Sequence, residues 1–518
     1  MVKKWRRRLV AWYKANIWGL NLLLILVVLG AFLRLYKLSE TFMFEGDQAR
    51  DIILVRERIF SGRPIAIGPV TSVGNMYLGP FYYYFMIPWV FFSNFNPVGP
   101  AVGVALMSVL TIVLIYILGQ KMLGKRAALI AALFFTFSQT AIFYARFSWN
   151  PNLSPLFGLL VLYLLWRCMN KNTYKFWPWL SLACGLLIQL HYVNLIMVGV
   201  VALVWLWQAI HNRHQKSFWL MSAAAVLIFG ITLVPQVLFD LKHQGLNSQA
   251  GIEMFTGENH NFYQESWGET LLISLQEMWG KTAHVVTDLL IPKIEAAYYA
   301  KIASCVLIMV VFCVLIRREK NQANQKSALL VAAFLITTIA GVSFYQHTVF
   351  DHYLLFVLPL TSFMFGFLLA KLSRYSVGKY ITVLVIIAFV IYNTVNYDFS
   401  PQGLPMSQKK RVVNYLINQA GGQAYNIIRL PDDAETGSGG DIYASKYRYL
   451  ALMKNQAPVE VGDHDRAEIM FVLDENLQTS VQDVSDSPIY ELVLFGRNKI
   501  VSVAQPVPDG PIIYKLVK

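Results

Sequence analysis

An acidic run with one arginine, Glu45 to Asp51 (EGDQARD), follows the first long apolar segment of the chain. The Asp47 carboxylate can accept a proton from a substrate hydroxyl and so serve as a general base. Arg50 lies one helical turn later and on the same face of a helix, where its guanidinium can hold the charge of a leaving phosphate. The run therefore predicts transfer chemistry on a substrate that a lipid presents at the membrane surface.

The same run has two other interpretations. Glu45 and Asp47 could cap an interfacial helix and pair with Arg50, which would be a purely structural role. The Glu45-x-Asp47 spacing could also hold a divalent cation. No second acidic ligand set accompanies this pair in the sequence, so we expect neither a metal nor another cofactor.

The composition is that of a polytopic membrane protein. Of the 518 residues, 56% are hydrophobic and 14% are charged, and the mean hydropathy is +0.47, which lies far outside the range of soluble domains. A net charge of +14 would suggest nucleic-acid binding in a soluble chain. Here the positive-inside rule explains the charge, so we expect membrane lipids and no nucleic acid as partners.

Basic clusters alternate with apolar segments along the chain. The basic residues from Lys3 to Arg8 precede an uncleaved first helix, which places the N-terminus in the cytoplasm. Eleven crossings are predicted, and they place the C-terminus outside. They lie near 17–36, 99–118, 127–145, 154–168, 177–192, 194–210, 218–238, 298–316, 327–345, 353–371 and 380–396. The short basic start and the lack of a retrieval signal favour the bacterial plasma membrane.

Residues 1–396 are expected to form the transmembrane catalytic domain, with exoplasmic loops at 37–98 and 240–299. In the first loop, helical spacing runs from Gln48 to Ser61 and stops at Gly62. The aromatic segment that begins at Phe81 is predicted to be a re-entrant or surface-lying helix.

Residues 397–518 are expected to form a soluble exoplasmic α/β domain. Helices are predicted over 409–419 and 443–452, and strands over 427–430, 467–473 and 489–494. The four cysteines all fall in predicted crossings, so we expect no disulfide outside the membrane. Asp463-His464-Asp465 follows Gly462 and is interpreted as a turn rather than a metal motif.

Further polar residues stand at the outer ends of predicted helices. Arg146 either faces a cavity or snorkels to the interface. At such turns a histidine is more often a residue of the membrane interface than a ligand. For Asp240, membrane topology or pairing with neighbouring charges explains the residue about as well as a role in the cavity does. The candidate cavity residues are Glu45, Gln48, Asn150, His191, Tyr192, Asp240 and His243.

Three motifs resemble those of a known family. The Asp47-Gln48-Ala49-Arg50 run after the first helix is followed by Leu78-Gly79-Pro80 and, after the next crossing, by Gly124-Lys125-Arg126. This pattern resembles the GT-C superfamily membrane glycosyltransferases of glycosyltransferase family 39, the protein O-mannosyltransferase and lipid A aminoarabinose transferase type. The resemblance covers most of residues 1–400 as architecture and implies a polyprenyl-phosphate-linked sugar as donor.

The resemblance also implies roles for single residues. Asp47 matches the family's catalytic base, and Arg50 matches an arginine near the donor phosphate. The segment that begins at Asp351 is similar to an Arg-Tyr-x-x-x-Pro motif, which places Tyr353 at the lipid phosphate with His352 in the arginine's position. Arg146 stands where relatives have an arginine at the end of the third crossing, and it is a further candidate for binding the donor phosphate. The chain departs from the family at Gln48, where a second acid is common, at Asn75, where one subgroup has lysine, and after Arg146, where many relatives have an aspartate.

The expected protein is thus a polytopic α-helical membrane protein of GT-C type with a C-terminal exoplasmic α/β domain. Its expected function is that of an inverting glycosyltransferase that moves a sugar from a polyprenyl-phosphate-linked donor to a hydroxyl of a protein, lipid or glycan acceptor. One alternative is a metal-dependent, oligosaccharyltransferase-like GT-C enzyme. Another is a transporter or lipid flippase, but its typical inverted repeats and midplane charges are not found in the sequence. A glycan-binding or assembly protein that works through its tail would leave the Asp47 run without a role.

Overall fold

The structure is a computed structural model. It describes residues 2–71, 76–170, 173–256, 267–291, 298–345, 348–431, 441–477, 484, 489–496 and 500–518. Parts of the second predicted exoplasmic loop, 257–266 and 292–297, lie outside the described residues, as does Asn75.

Helices make up most of the described chain. They are α1 (Val2–Leu35), α2 (Leu38–Thr41), α3 (Gly46–Ser61), α4 (Phe81–Phe92), α5 (Val98–Met122), α6 (Lys125–Phe137), α7 (Gln139–Phe143), α8 (Ser154–Cys168), α9 (Trp177–Leu190), α10 (Leu195–His211), α11 (Lys216–Lys242), α12 (Leu246–Thr256), α13 (Trp267–Ala283), α14 (Tyr298–Arg317), α15 (Gln322–Ser343), α16 (Leu358–Leu372), α17 (Ser376–Val395), α18 (Met406–Ala420), α19 (Ser445–Leu452) and α20 (Tyr490–Phe495). Short 3-10 segments include Asp351–Val357, and His284–Asp288 is a single π-helical segment.

Eight helices of the described chain are long and apolar enough to cross a membrane. They coincide with eight of the eleven predicted crossings. At the other three positions lie the shorter helices α6, α8 and α9, of 13, 15 and 14 residues. The crossing predicted over 127–145 is interrupted because Ser138 ends α6 and its Oγ accepts from the Ala141 amide, which starts α7. The polytopic helical fold is confirmed.

The middle of the bundle is built from α5, α6, α8 and α16, whose packed faces are almost fully buried. In contrast, α11, α14 and α17 expose rows of apolar side chains such as Leu227, Leu307 and Leu384, as expected of lipid-facing helices. Arg34, at the end of α1, is fully buried and donates to Ser108 Oγ and to the carbonyls of Phe135 and Thr136. These bonds satisfy the carbonyl groups that are freed where α6 ends.

The first loop is folded, as predicted. The helix expected over Gln48 to Ser61 is α3, which ends at Gly62 with a left-handed φ of 65° that suits glycine. The aromatic segment forms α4, which packs on α3 and buries Tyr82 and Tyr83. The second predicted loop also contains helices, α12 and α13, which sequence analysis did not anticipate.

The tail forms a mixed four-stranded sheet of order β1-β2-β4-β3. Its strands are β1 (Tyr425–Arg429), β2 (Ile469–Asp474), β3 (Ile500–Ala504) and β4 (Ile512–Val517). β1 pairs parallel with β2, and β4 is antiparallel to both β2 and β3. The α/β prediction is confirmed, with one local correction. The third predicted strand, 489–494, is helix α20, because a short apolar run does not by itself distinguish a strand from a helix.

Candidate active site

A cavity of about 790 Å³ lies between α3 and the tail domain. One wall carries Asp47, Gln48 and Arg50 of α3, and the facing wall carries Arg429 and Lys446 of the tail. Charged side chains from sequence-distant parts of the chain therefore surround one space.

Asp47 stands in the first turn of α3 with about half of its side chain (47%) exposed in this cavity. Its Oδ1 lies 2.9 Å from Arg50 Nη1, the pairing expected for residues three apart in a helix. Arg50 also donates through Nε and Nη2 to Asp51 Oδ1, at 2.9 and 2.8 Å. One guanidinium thus joins an exposed and a buried carboxylate.

Asp51 faces away from the cavity, with 2% of its side chain exposed. The Tyr83 hydroxyl donates to Asp51 Oδ1 at 3.0 Å, and Oδ2 has no hydrogen-bond partner. Burial raises the pKa of Asp51 to about 6, although Arg50 and Tyr83 oppose that rise. Burial likewise opposes the charge on Arg50, but Asp51 and Asp47 outweigh it and raise the pKa of Arg50.

Glu45 connects α3 to the tail domain. Its Oε1 accepts from Lys409 Nζ at 2.6 Å, and its Oε2 accepts from Lys446 Nζ. Lys409 also donates to the Phe44 carbonyl at 2.8 Å. Burial lowers the pKa of Lys409, whereas Glu45 and Glu475 outweigh burial and raise the pKa of Lys446. Both Glu45 oxygens are therefore engaged by ammonium groups.

The tail wall is itself an ion-pair network around Glu475. Glu475 accepts from Lys446 at 2.9 Å and from the Tyr447 hydroxyl at 2.8 Å, and it forms an ion pair with Arg429 Nε at 2.8 Å. Burial alone would raise the pKa of Glu475, but Lys446 and these other donors lower it. The network fixes the position of the tail residues that line the cavity.

An aromatic cluster lies beside the cavity. Trp149 lines the cavity, and its ring centroid is 4.6 Å from that of His352. His352 lies 4.4 Å from Tyr353, and Tyr353 lies 4.9 Å from His191. The structure thus brings His191, His352 and Tyr353 together next to Trp149.

Arg146 and Asn150 are engaged elsewhere. Arg146 is buried and donates to the carbonyls of Leu33 and Tyr36 and to Thr41 Oγ1, with its guanidinium 5.1 Å from the Phe399 ring. Asn150 Nδ2 donates to the Leu190 carbonyl at 2.6 Å. The structure does not place either residue among those that line the Asp47 cavity.

Tyr192, Asp240 and His243 belong to a separate hydrogen-bonded group. The Tyr192 hydroxyl donates to the Tyr77 carbonyl at 2.6 Å. Asp240 Oδ1 accepts from the Asn247 amide at 2.7 Å at the start of α12, and His243 stacks on a neighbouring phenylalanine. Gln48 Oε1 accepts from the Glu45 amide at 2.9 Å and so caps α3 at the cavity wall.

Sequence analysis missed every tail residue of the site, because no local spacing marks a contact made some 400 residues away, as between Lys446 and Glu45. The missed residues are Lys409, Arg429, Asp441, Lys446 and Glu475. Among the described residues, no group of three or more His, Cys, Asp or Glu side chains is arranged to hold a metal ion.

A family model described as dolichyl-phosphate-mannose-protein mannosyltransferase matches residues 79–238, a stretch that begins after the Asp47 run. No curated protein matches the chain.

Solved structures match the chain over most of its length. ArnT from Cupriavidus metallidurans bound to undecaprenyl phosphate is 12% identical, with 97% of this chain and 98% of that chain covered and a TM-score of 0.58. The oligosaccharyltransferase AglB from Archaeoglobus fulgidus, in complex with an inhibitory peptide and a dolichol-phosphate, is 13% identical. That match covers 89% of this chain and 70% of that chain, with a TM-score of 0.52. An Archaeoglobus fulgidus oligosaccharyltransferase complex with Zn and sulfate is 12% identical over 95% of this chain and 72% of that chain, with a TM-score of 0.51. These matches confirm the expected GT-C type of fold.

Proposed function

We propose that the protein is a membrane glycosyltransferase that moves a sugar from a polyprenyl-phosphate-linked donor to an acceptor hydroxyl at the outer membrane face. The observation that carries this proposal is the half-exposed Asp47 carboxylate, 2.9 Å from Arg50, in a 790 Å³ cavity. The match to a dolichyl-phosphate-mannose-protein mannosyltransferase model supports it. So does the shared fold with structures that contain undecaprenyl phosphate or dolichol-phosphate.

In the proposed reaction, Asp47 removes the proton of the acceptor hydroxyl as its oxygen attacks the anomeric carbon of the donor sugar. The bond between that carbon and the phosphate oxygen breaks, and the polyprenyl phosphate leaves with the bonding electron pair. A single displacement of this kind inverts the anomeric configuration.

Arg50 supplies the positive charge for the leaving phosphate. It lines the cavity while Asp51 holds its Nε and Nη2, which fixes the direction of the guanidinium before the donor binds. Asp51 is therefore a positioning residue in this mechanism. The aromatic cluster of His352, Tyr353 and Trp149 offers a hydrogen-bonding and stacking surface for the same phosphate group.

A metal-dependent reaction is the competing mechanism, since one structural match contains zinc. Glu45 and Asp47 would be the ligands. However, both oxygens of Glu45 accept from lysines, so binding a cation there would require breaking two ion pairs. This arrangement supports the metal-independent mechanism.

The proposal is tested with purified protein in liposomes that contain radiolabelled polyprenyl-phosphate sugars, with membrane extract as the acceptor source. We expect release of polyprenyl phosphate at the same rate with and without EDTA. Loss of turnover with EDTA, restored by a divalent cation, would establish the metal-dependent mechanism instead. If no polyprenyl-phosphate sugar is consumed, the proposed donor class is wrong.

A further inference from the structure

An open groove with a volume of about 470 Å³ lies between α13, α14 and α15, away from the Asp47 cavity. One face of α14 forms its floor, because the α14 residues that line it recur every three or four positions. They are Val306, Met309, Val310, Cys313, Val314 and Arg317. Since Arg317 is the last residue of α14, an apolar stripe along a membrane-spanning helix ends at an arginine.

The two ends of the groove differ in chemistry. Away from Arg317, side chains of α13 and α15 such as Trp279 and Ile336 line it, and each is about half exposed. Here α13 lies near the start of α14, since a Cβ on Gly280 would be 3.3 Å from the hydroxyl of Tyr298, the first residue of α14. Thr282 of α13 also lines the groove, but its hydroxyl already donates to the Met278 carbonyl. A molecule that fills the groove therefore needs an apolar chain and a polar end at Arg317.

Positive charge at the Arg317 end lacks a counter-charge within the described chain. Arg317, Arg318 and Lys320 are exposed, and none of the three forms an ion pair with another described residue. Glu319, the one acid in this turn, is 8% exposed and pairs with Lys371 instead. An anionic group is therefore the complementary partner at this end of the groove.

The length of the groove matches one leaflet of a bilayer. Val306 and Arg317 are eleven residues apart, which is about 17 Å along α14. A hydrocarbon core of about 30 Å gives each leaflet about 15 Å. The basic turn after α14 predicts that this end faces the cytoplasm, whereas the proposed donor phosphate binds at Arg50 near the outer face. A lipid of the cytoplasmic leaflet thus fits the groove better than the sugar donor does.

We infer that this groove binds an acyl chain of an anionic phospholipid of the cytoplasmic leaflet, with the lipid phosphate paired to Arg317. Basic pockets between membrane helices on the cytoplasmic side are typical sites for anionic headgroups. The acyl chain lies along the α14 stripe and contacts Trp279 and Ile336. Lipid binding here does not depend on the proposed glycosyl transfer.

Cys313 is a native probe of this site. It lines the groove, and the other three cysteines of the chain are buried. The test uses the full chain, delipidated in detergent, and adds dioleoyl phosphatidylglycerol, dioleoyl phosphatidylcholine or undecaprenyl phosphate. Native mass spectrometry measures lipid binding, and the rate of alkylation by N-phenylmaleimide reports whether the groove is filled. Cys313→Ser identifies any labelling elsewhere.

We expect phosphatidylglycerol to bind more tightly than phosphatidylcholine and to slow the alkylation of Cys313. Arg317→Gln should weaken phosphatidylglycerol binding about fivefold, the typical effect of one basic residue near an anionic headgroup, and should leave phosphatidylcholine binding unchanged. Arg126→Gln is the matched control, because Arg126 is an exposed arginine in the first turn of α6 and does not line the groove. It should bind both lipids as the wild type does.

A second pair of variants tests the acyl chain. Val310 is 52% exposed in the middle of the stripe, so Val310→Trp should fill the groove and remove the tight binding of phosphatidylglycerol. Leu307→Trp should have no effect, because Leu307 is 63% exposed on α14 but does not line the groove. Melting temperatures identify any loss of fold. If Val310→Trp unfolds, Arg317→Gln still decides, since Arg317 is exposed.

Three results would overturn the inference. They are equal or absent binding of phosphatidylglycerol and phosphatidylcholine, wild-type phosphatidylglycerol binding by Arg317→Gln, and stronger protection of Cys313 by undecaprenyl phosphate than by phosphatidylglycerol. The last result would assign the groove to the chain of a polyprenyl carrier instead. Because no sugar donor is present in these measurements, failure of this site and failure of the proposed function give different results.

Discussion

At the scale of residues, the site depends on how one arginine is shared. Arg50 contacts the exposed Asp47 and the buried Asp51, and Tyr83 in turn fixes Asp51. The spacing of Asp47 and Arg50 in the sequence predicted the first of these contacts. The role of Asp51 could not be predicted, because its burial depends on α4, which packs on α3 from thirty residues away.

Asp51 should make turnover sensitive to pH. Burial raises its pKa to about 6, so the carboxylate becomes protonated below that pH and holds Arg50 less firmly. We expect the turnover of the wild type to fall as the pH drops below about 6. The turnover of Asp51→Asn should be slower than that of the wild type at every pH, and it should lack the fall below about pH 6, here called the acidic limb. The pH-rate profiles of both proteins measure this difference.

The stability of Asp51→Asn separates this effect from misfolding. A carboxyl whose pKa is higher in the folded than in the unfolded state binds more protons when folded, so it contributes less to stability as the pH rises through about 6. We therefore expect the melting temperature of Asp51→Asn at pH 7 to be unchanged or higher. An unchanged acidic limb in this variant would contradict the assignment to Asp51.

Tyr83→Phe tests the hydrogen bond between the Tyr83 hydroxyl and Asp51. The Tyr83 hydroxyl donates to Asp51 Oδ1 at 3.0 Å and lowers the pKa of Asp51. Its loss should move the acidic limb of turnover to higher pH. Tyr84→Phe is the matched control, because the Tyr84 hydroxyl donates to the Ile65 carbonyl instead. If the acidic limb of turnover in Tyr83→Phe stays at the wild-type pH or moves to lower pH, Tyr83 does not act through Asp51.

Arg146 has contacts within the fold that its sequence neighbours do not reveal. An arginine at the end of a crossing suggested a phosphate ligand, but the structure engages it with the carbonyls of Leu33 and Tyr36. Whether an arginine faces a cavity or a helix end is decided by packing that its sequence neighbours do not encode.

At the scale of elements, α3 carries the proposed catalytic residue Asp47 and also contacts the tail domain. Its amphipathic spacing and its stop at Gly62 predicted the helix within two residues. Its contact with α18 and α19 could not be predicted, because it depends on ion pairs between distant segments.

Glu45→Gln tests this docking. The change removes the charge that pairs with Lys409 and Lys446, which are nearly buried, so we expect a loss of about 2 kcal/mol in stability, the typical value for hydrogen bonds to charged groups, and a loss of turnover. Faster hydrogen exchange in α18 would measure the loss directly. Glu57→Gln, on the same helix but 60% exposed, should leave both properties unchanged. Equal exchange in the two variants would contradict the docking role of Glu45.

Gly46→Ala tests how closely α3 approaches the tail. A Cβ at position 46 would lie 2.5 Å from Asp441 Cβ, so α3 or the tail must shift. Overpacking of this kind costs about 1–3 kcal/mol and should lower turnover by displacing Asp47, its neighbour. Gly251→Ala in α12, where nothing lies within 4 Å, is the control. Wild-type turnover in Gly46→Ala would show that the close approach has no functional role.

At the scale of the whole molecule, hydropathy and basic clusters predicted the polytopic architecture, and eight long helices confirm most of it. Of the three shorter helices, α8 and α9 nearly match the predicted crossings over 154–168 and 177–192, whereas α6 ends at Phe137, before the predicted end at 145. The two-part design places α3, in the first loop, opposite a tail that contributes the second wall of the cavity.

The most direct test of the account is the rate of polyprenyl-phosphate release by Asp47→Asn in liposomes, compared with wild type and with Asp463→Asn. Asp463 is an aspartate of the tail that pairs with Arg466 outside the cavity. A general base contributes about 100-fold to 10,000-fold to a rate, so we predict a loss of at least about 100-fold in Asp47→Asn and none in Asp463→Asn. Release by Asp47→Asn at the wild-type rate would contradict the central claim that Asp47 is the catalytic base.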